Sequence, residues 1–221
     1  MTNALIIFFK LPEAGKVKTR LTPFLSPEAA AMLYAAFVKD TLLLASSLSD
    51  TKIFAYLAAA DETIFSETAP FISPVAELRL QRGAGLGERM SGAFKDVFEL
   101  GFARVSIIGS DAPHLPKPYL TALFDSVATS ARSVSIGPSE DGGYYGLSMN
   151  AFTPEVFLNV NYSSPETYRE TLKAVSPLPV RCNSLPIWFD IDEPQDLKRL
   201  SASLDSYTLP HTASLLPHLI P

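Results

Sequence analysis

Apolar residues in this chain fall into short unbroken runs that alternate with longer stretches in helical spacing. The run ALIIFF (4–9) is closed by a loop containing Pro12 and Gly15, the pattern of a strand buried on both faces of a parallel sheet. Ser26 followed by Pro27 reads as an N-cap with proline at the first helical position, and a helix is predicted over 27–48. TKIFAYLAA (51–59) and the shorter VAELRLQ (75–81) are the next two strands, the latter leading into the glycine-rich RGAGLG. In ERMSGAFKDVFELG (88–101), Met90, Phe94, Val97 and Phe98 share one helical face and Gly101 marks a stop.

ARVSIIG (103–109) is the clearest interior strand; it runs into SDAPHLP, and a helix follows over 118–130. SVSIGP (133–138) gives a further strand ended by SEDGGYYGL, where Gly142 and Gly143 permit a turn or close backbone approach. TPEVFL (153–158) and SPETYRETLKAV (164–175) read as helical, LPIWFDI (185–191) as a strand, and EPQDLKRLSASL (193–204) as a final helix opened by Pro194. This alternation predicts a three-layer α/β/α architecture around a mostly parallel sheet, in one domain over 1–204. The segment 205–221 carries three prolines among scattered apolar residues and is expected to be an irregular tail, packed on the body or on a partner.

Composition narrows the function classes. Hydrophobic residues are 47% of the 221 and charged residues 19%, enough for a large core and too ordered a balance for extended disorder. The net charge of −5 argues against a nucleic-acid binder with a broad basic face, so any anion site is local. The single Cys182 excludes an internal disulfide and a multi-cysteine zinc site, as expected of a cytoplasmic protein. MTNALIIFFK lacks the basic flank of a signal peptide, and no later stretch is expected to reach the ~20 apolar residues of a membrane helix.

In an open α/β sheet ligands bind beyond the carboxyl ends of the strands, and three such loops carry unusual residues. The first holds Lys10, Lys16, Lys18 and Arg20 around Gly15, which suits a diphosphate; the alternative is a solvated basic loop. The second places Asp111 after an apolar strand, between Ser110 and the turn at Pro113. A carboxylate there calls for a cation, and Mg²⁺ or Mn²⁺ bound by one or two acids plus phosphate oxygens would serve, unless Asp111 merely caps a turn. Asp190 and Asp192, spaced by two before the last helix, are candidates for the second acid, with helix capping by Asp192 as the alternative.

The third loop, 137–145, combines Asp141, Gly142, Gly143, Tyr144 and Tyr145, a mixture suited to a sugar or other polar acceptor, with Asp141 the better acid. The glycines at 83, 85 and 87 miss the dinucleotide fingerprint spacing and read as a base or ribose loop, with Gln81, Arg82, Gly87 and Arg89 as candidates. Gly15-Lys16 lacks the frame of a Walker A loop. His211 and His218 look incidental, whereas His114 is close enough to Asp111 to be kept in view. No Ser, His and Asp set has hydrolase spacing.

The segments FFKLPEAGKVKTRL, GAGLGERM, IIGSDAPHL, GPSEDGGYYGL and DIDEPQDL, in this order over roughly residues 4–200, resemble a bacterial family of GT-A type nucleotide-diphospho-sugar transferases linked with arsenosugar biosynthesis. They are more distantly similar to the nucleotidyltransferases of molybdenum-cofactor and F420 synthesis. The resemblance implies a Rossmann-like GT-A fold with a mixed sheet. It implies phosphate contacts from Lys10, Gly15, Lys18, Thr19 and Arg20, and a divalent metal on Asp111 and Asp192, with Asp190 beside them. It also implies an acceptor side formed by Asp141, Gly142, Gly143 and Tyr144. Asn161-Tyr162-Ser163-Ser164 departs from the tryptophan followed by Ser-Thr usual in that family.

Three functions follow as expectations. The first is sugar transfer from a nucleotide sugar to a small acceptor, with Asp111 and Lys18 serving the departing diphosphate and Asp141 as base. The second is nucleotidyl transfer from a nucleoside triphosphate, and the third is nucleotide binding without turnover. A homodimer is left open.

Overall fold

The structure of the chain, a computed structural model, describes residues 2–58, 68, 72 and 75–219. Its elements in chain order are β1 (Asn3–Lys10), α1 (Pro27–Ser46), β2 (Thr51–Ala58), β3 (Glu77–Leu80), α2 (Leu86–Glu99), β4 (Arg104–Ile108) and α3 (Lys117–Asp125). There follow β5 (Ser133–Pro138), β6 (Tyr144–Met149), α4 (Thr167–Val175), β7 (Arg181–Ser184), α5 (Pro194–Ala202) and α6 (Pro210–Leu219). The strands form one seven-stranded sheet ordered β3-β2-β1-β4-β6-β5-β7. β6 runs antiparallel to both of its neighbours and all other pairings are parallel. The fold is a single-domain α/β unit with helices on both faces, as the hydrophobic pattern predicts.

β1 shows why the apolar runs are unbroken. Leu5, Ile7 and Phe9 enter a core shared with α1, α3, α5 and α6 on one face, while Ala4 and Ile6 enter a second core with α2 and α4 on the other. Successive side chains of a strand point to opposite faces, so a central strand covered on both sides is apolar at every position. α1 starts where predicted, with the Ser26 hydroxyl accepting from Ala29 N at 3.2 Å and Pro27 in the first turn.

Four expectations about individual elements are corrected. SEDGGYYGL holds more than a turn: the chain reverses there and continues as β6, the one antiparallel strand of the sheet. LPIWFDI is not a ladder strand; β7 is the polar RCNS segment before it. Pro186 has no N–H to give to a ladder, and the run keeps scattered single links, Leu185 N to Ile136 O at 2.9 Å, Trp188 N to Pro138 O at 3.0 Å, Glu140 N to Trp188 O at 2.9 Å and Ile191 N to Asp111 O at 2.9 Å. TPEVFL is a single 3₁₀ turn over Pro154–Phe157. The segment expected to be irregular carries α6, which packs on α1. Its first amides, His211 N and Thr212 N, donate to the buried Asp40 carboxylate at 3.1 and 2.8 Å, so α1 supplies the cap that α6 lacks locally. Ala59 of the second predicted strand, and residues 220 and 221 of the tail, lie outside the described residues.

α1 is also long and apolar enough to cross a membrane, 20 residues at mean hydropathy 1.4, contrary to the expectation that no stretch reaches that length. It lies largely buried against the sheet, with Leu33, Phe37 and Ala45 fully enclosed, which accounts for its apolar character as a core helix.

Candidate functional site

The carboxyl ends of β1 and β4 and the start of β6 open into a cleft of about 740 Å³. Its walls bring together the three loops singled out from the sequence. Lys10, Lys16, Lys18, Thr19 and Arg20 come from the loop after β1, Asp111 from the loop after β4, and Asp141, Gly143 and Tyr144 from the β5–β6 turn. Gln81 and Arg89 approach from the glycine-rich side, and Asp190 and Asp192 from the segment before α5. Basic and acidic residues are thus gathered at one end of the sheet even though the whole chain is acidic.

Lys18 sits at the centre. Its side chain is 3% exposed, and its ammonium pairs with both Asp111 and Asp192, the latter at 2.8 Å. The rings of Tyr34 and Phe37 lie 5.9 and 5.6 Å from the same nitrogen. Burial alone would lower the lysine pKa, but the two carboxylates outweigh it and hold it above the ordinary value, so Lys18 is a permanent cation here. A charge this deep without partners would cost several kcal/mol, so the ammonium and the two acids depend on one another. Lys18 also has φ 48° and ψ 38°, a left-handed conformation that non-glycine residues adopt only where the surroundings hold them in it.

The capping alternatives for the acids fall away. At the start of α5 it is Glu193 and Asp196 that form a reciprocal capping box, so Asp192 keeps its carboxylate for Lys18. Burial pushes Asp192 up, but Lys18 and then Arg20 and Lys10 more than reverse this, leaving it below the usual carboxylate value. Asp111 caps no helix, since the cap position of α3 is Pro116, which has no side-chain cap to offer, and the Asp111 carboxylate faces Lys18. The main chains of the two acidic segments are joined by Ile191 N donating to Asp111 O at 2.9 Å.

Asp190 behaves differently. Burial first, then the like charges of Asp111 and Asp141, raise its pKa to about 7, while the Ser139 hydroxyl donates to its Oδ2 at 3.2 Å. Asp141 is exposed on the rim, and its Oδ1 accepts from Gly143 N at 2.9 Å in a tight turn that fixes its direction.

The other predicted residues divide. Lys10, Thr19 and Arg20 line the cleft with exposed side chains. Gly15 is an exposed turn residue at φ 76°, with open space where a side chain would be. Gln81 and Arg89 line the cleft but are also fasteners: the Gln81 amide donates to Tyr56 O at 2.9 Å, and Arg89 Nε donates to Gly83 O at 3.0 Å. Arg82 is exposed. Gly87 is buried beneath the Tyr162 ring, which a Cβ would meet at 2.5 Å, and Gly142 meets Pro165 O at 1.9 Å. These two glycines let the 162–165 segment close over the cleft wall. His114 lies behind the site, packed edge-on to Phe189 at 4.3 Å between ring centroids and near Trp188 and Tyr207. Burial, with Arg199 nearby, pushes its pKa down to about 3, so it is a neutral wedge between the two acidic segments.

Tyr34 and Ser110 escape sequence reasoning. The Tyr34 hydroxyl accepts from Lys10 N at 2.9 Å and shares a hydrogen bond of 2.7 Å with Ser110 Oγ, tying α1 to the ends of β1 and β4. A tyrosine on a core helix carries no sequence sign of that task.

The donor set fits a hard divalent cation. Asp111, Asp190 and Asp192 offer oxygen only, and like-charge crowding at Asp190 is what a cation would relieve. Among the described residues no three acidic, histidine or cysteine side chains converge as a complete cage. One or two carboxylates completed by phosphate oxygens and water is the arrangement Mg²⁺ favours.

The comparisons agree with this architecture. A crystal structure of a protein of Desulfovibrio desulfuricans G20, named by inference a nucleotide-diphospho-sugar transferase, superposes with a TM-score of 0.87 at 28% identity, covering 100% of this chain and 99% of that one. CMP:2-keto-3-deoxy-manno-octonic acid synthetase complexed with CTP shares the fold at TM-score 0.58 and 11% identity, over 93% and 99% of the two chains. Rv0371c of Mycobacterium tuberculosis H37Rv, in a complex with manganese, does so at TM-score 0.51 and 17% identity, over 92% and 100%. None of the curated protein sequences matches the chain. A family model described as an uncharacterized protein conserved in bacteria, DUF2064, matches residues 42–164, more than half of the sequence, and the chain belongs to that family.

Proposed function

We propose that the chain is a divalent-metal-dependent transferase that takes a nucleotide diphosphate group into this cleft, with sugar transfer from a nucleotide-diphospho-sugar to a small acceptor as its reaction. The observation that carries the reading is the facing of Lys10, Lys18 and Arg20 against Asp111 and Asp192 within one cleft at the carboxyl ends of the strands. The structure from Desulfovibrio desulfuricans G20 supports the choice of substrate class.

In this reading Arg20 and Lys10, both exposed in the cleft, hold the phosphate oxygens, Arg20 by its planar fork. Asp111 and Asp192, with Asp190 beside them, hold Mg²⁺ or Mn²⁺, which when bound supplies positive charge to the departing nucleoside diphosphate. Lys18 adds a permanent positive charge to the same leaving group, and charge placed where it develops lowers the barrier. Asp141, exposed on the rim and aimed by Gly143 N, takes the proton of the acceptor hydroxyl, while Tyr144 and the 162–165 segment wall the acceptor side.

Nucleotidyl transfer is the second reading, favoured by the shared fold of a synthetase complexed with CTP. A thermal-shift and calorimetric screen of nucleotide sugars, nucleoside diphosphates and nucleoside triphosphates, each with and without Mg²⁺ or Mn²⁺, tests the proposal. Metal-dependent binding of a nucleotide sugar is the expected result. Metal-dependent binding of a triphosphate with no response to any nucleotide sugar would transfer the conclusion to the second reading.

A further inference from the structure

The two carboxylates assigned to the metal already have a cation. Lys18 Nζ contacts both Asp111 and Asp192, its side chain is 3% exposed, and the rings of Tyr34 and Phe37 close its other sides. A dication taken by these oxygens would share them with an ammonium held between the same two groups. Repulsion between the two cations in a half-buried site opposes that arrangement. One of them has to give way.

We infer that Lys18 is the resident cation of this site. It excludes free divalent metal from the ligand-free protein and yields the carboxylates only when an anionic group arrives that can accept its ammonium. The inference rests on the proposed metal-diphosphate reading for the identity of that group, and it adds an order to it: metal enters with the diphosphate and not before.

Three further observations support this exchange. Arg20 and Lys10 act on Asp192 as additional positive neighbours, so a bare dication meets a wall of cations, whereas a metal-diphosphate complex brings its own negative charge. The loop that carries Lys18 has a left-handed backbone at Lys18 itself, φ 48°, a position from which the chain can relax when the ammonium leaves its acids. The free space beside Gly15 leaves that loop room on its outer side. Lys18 is therefore a specificity-determining residue for the state in which metal is accepted.

The test reads protein-bound Mn²⁺ directly, as the manganese retained with the protein in equilibrium dialysis, each arm compared with a protein-free cell of the same composition, with no turnover required. Wild-type protein is titrated with MnCl2 alone and with MnCl2 plus inorganic pyrophosphate, a base-free stand-in for the diphosphate. Lys18→Met and, as the variant that keeps polarity if Met does not fold, Lys18→Gln are titrated in the same way. Each is also made with Asp192→Asn, and folding is checked by circular dichroism. With the resident cation removed, Mn²⁺ alone binds roughly tenfold or more tightly than to wild type, and Asp192→Asn abolishes the gain. In the wild type, pyrophosphate strengthens Mn²⁺ binding by a similar factor. Mn²⁺ alone binding the folded Lys18 variants no more tightly than wild type would overturn the inference. Failure of the broader reading looks different: no nucleotide sugar, nucleotide or pyrophosphate changes Mn²⁺ binding to wild type, whatever the Lys18 variants do with the metal alone.

Discussion

Asp190 offers a quantitative test that needs no knowledge of the substrate. Its pKa of about 7, against an ordinary 3.8, means that the folded protein keeps the proton over a pH range in which the unfolded chain has lost it. The native state then binds more protons than the unfolded state, so stability falls as pH rises from about 4 to about 7, and the penalty is complete above that. At ~1.36 kcal/mol per pKa step the full displacement is up to about 4 kcal/mol. Asp190 keeps some contact with solvent, and a working value of about 2 kcal/mol allows for screening. Asp190→Asn removes the titration while leaving an oxygen to accept from Ser139 Oγ. Measured by urea or thermal unfolding in the presence of a chelator, the variant gains on wild type between pH 4 and pH 8. The gain is about 2 kcal/mol, or roughly 4–8 °C in Tm for a domain of this size. A difference between the two proteins that is independent of pH, or one that favours wild type at pH 8, would show that Asp190 is not held protonated by burial and its acidic neighbours.

Other outcomes follow from single contacts. Asp40→Ala removes the acceptor of His211 N and Thr212 N and costs about 1–3 kcal/mol, with hydrogen exchange rising first at the start of α6. Gly142→Ala brings a Cβ against Pro165 O in a φ 88° backbone and is expected to destabilise by about 2 kcal/mol or more while loosening nucleotide-dependent protection of the 162–165 segment. Arg20→Ala, at an exposed position, leaves Tm within about 1 °C but weakens nucleotide binding about tenfold by calorimetry, the loss of a charge-assisted contact. Asp111→Asn abolishes the metal dependence of nucleotide binding; if that dependence survived, the metal would have to sit elsewhere.

The sequence shows the sheet where burial is complete and loses it where burial is one-sided. β1 and β4 are readable because both faces are covered, so their interior positions are apolar in succession, with Ser106 of β4 the buried exception, hydrogen-bonded to Ser148. β7 is an exposed edge strand of the polar residues Arg181 to Ser184, and no periodicity announces it. The apolar LPIWFDI run after it misleads because Phe189 and Ile191 are core side chains on a main chain that does not ladder. α6 hides behind Pro210 and Pro217, and its cap is Asp40, far away in sequence. At the site, Asp111, Asp192, Lys18 and Arg20 are legible as charged residues at strand ends. Their pairing is not, because nothing local tells whether the basic loop reaches the acids or the solvent. The same gap makes Gly87 look like a ligand contact when its place beneath Tyr162 is a matter of packing.

The Lys18–Asp192 pair joins positions 174 apart in the chain, and the Ile191–Asp111 main-chain bond that aligns the acids is also long-range. Such a cleft is not assembled by local contacts, because its two sides meet only when the chain closes over that separation. Any compound that fits it therefore distinguishes the completed fold from every partly folded form. Its binding energy then acts on global unfolding, adding about 2.7 kcal/mol at a hundredfold excess over Kd. A ligand screen read by heat is for this reason also a screen for the integrity of the entire sheet.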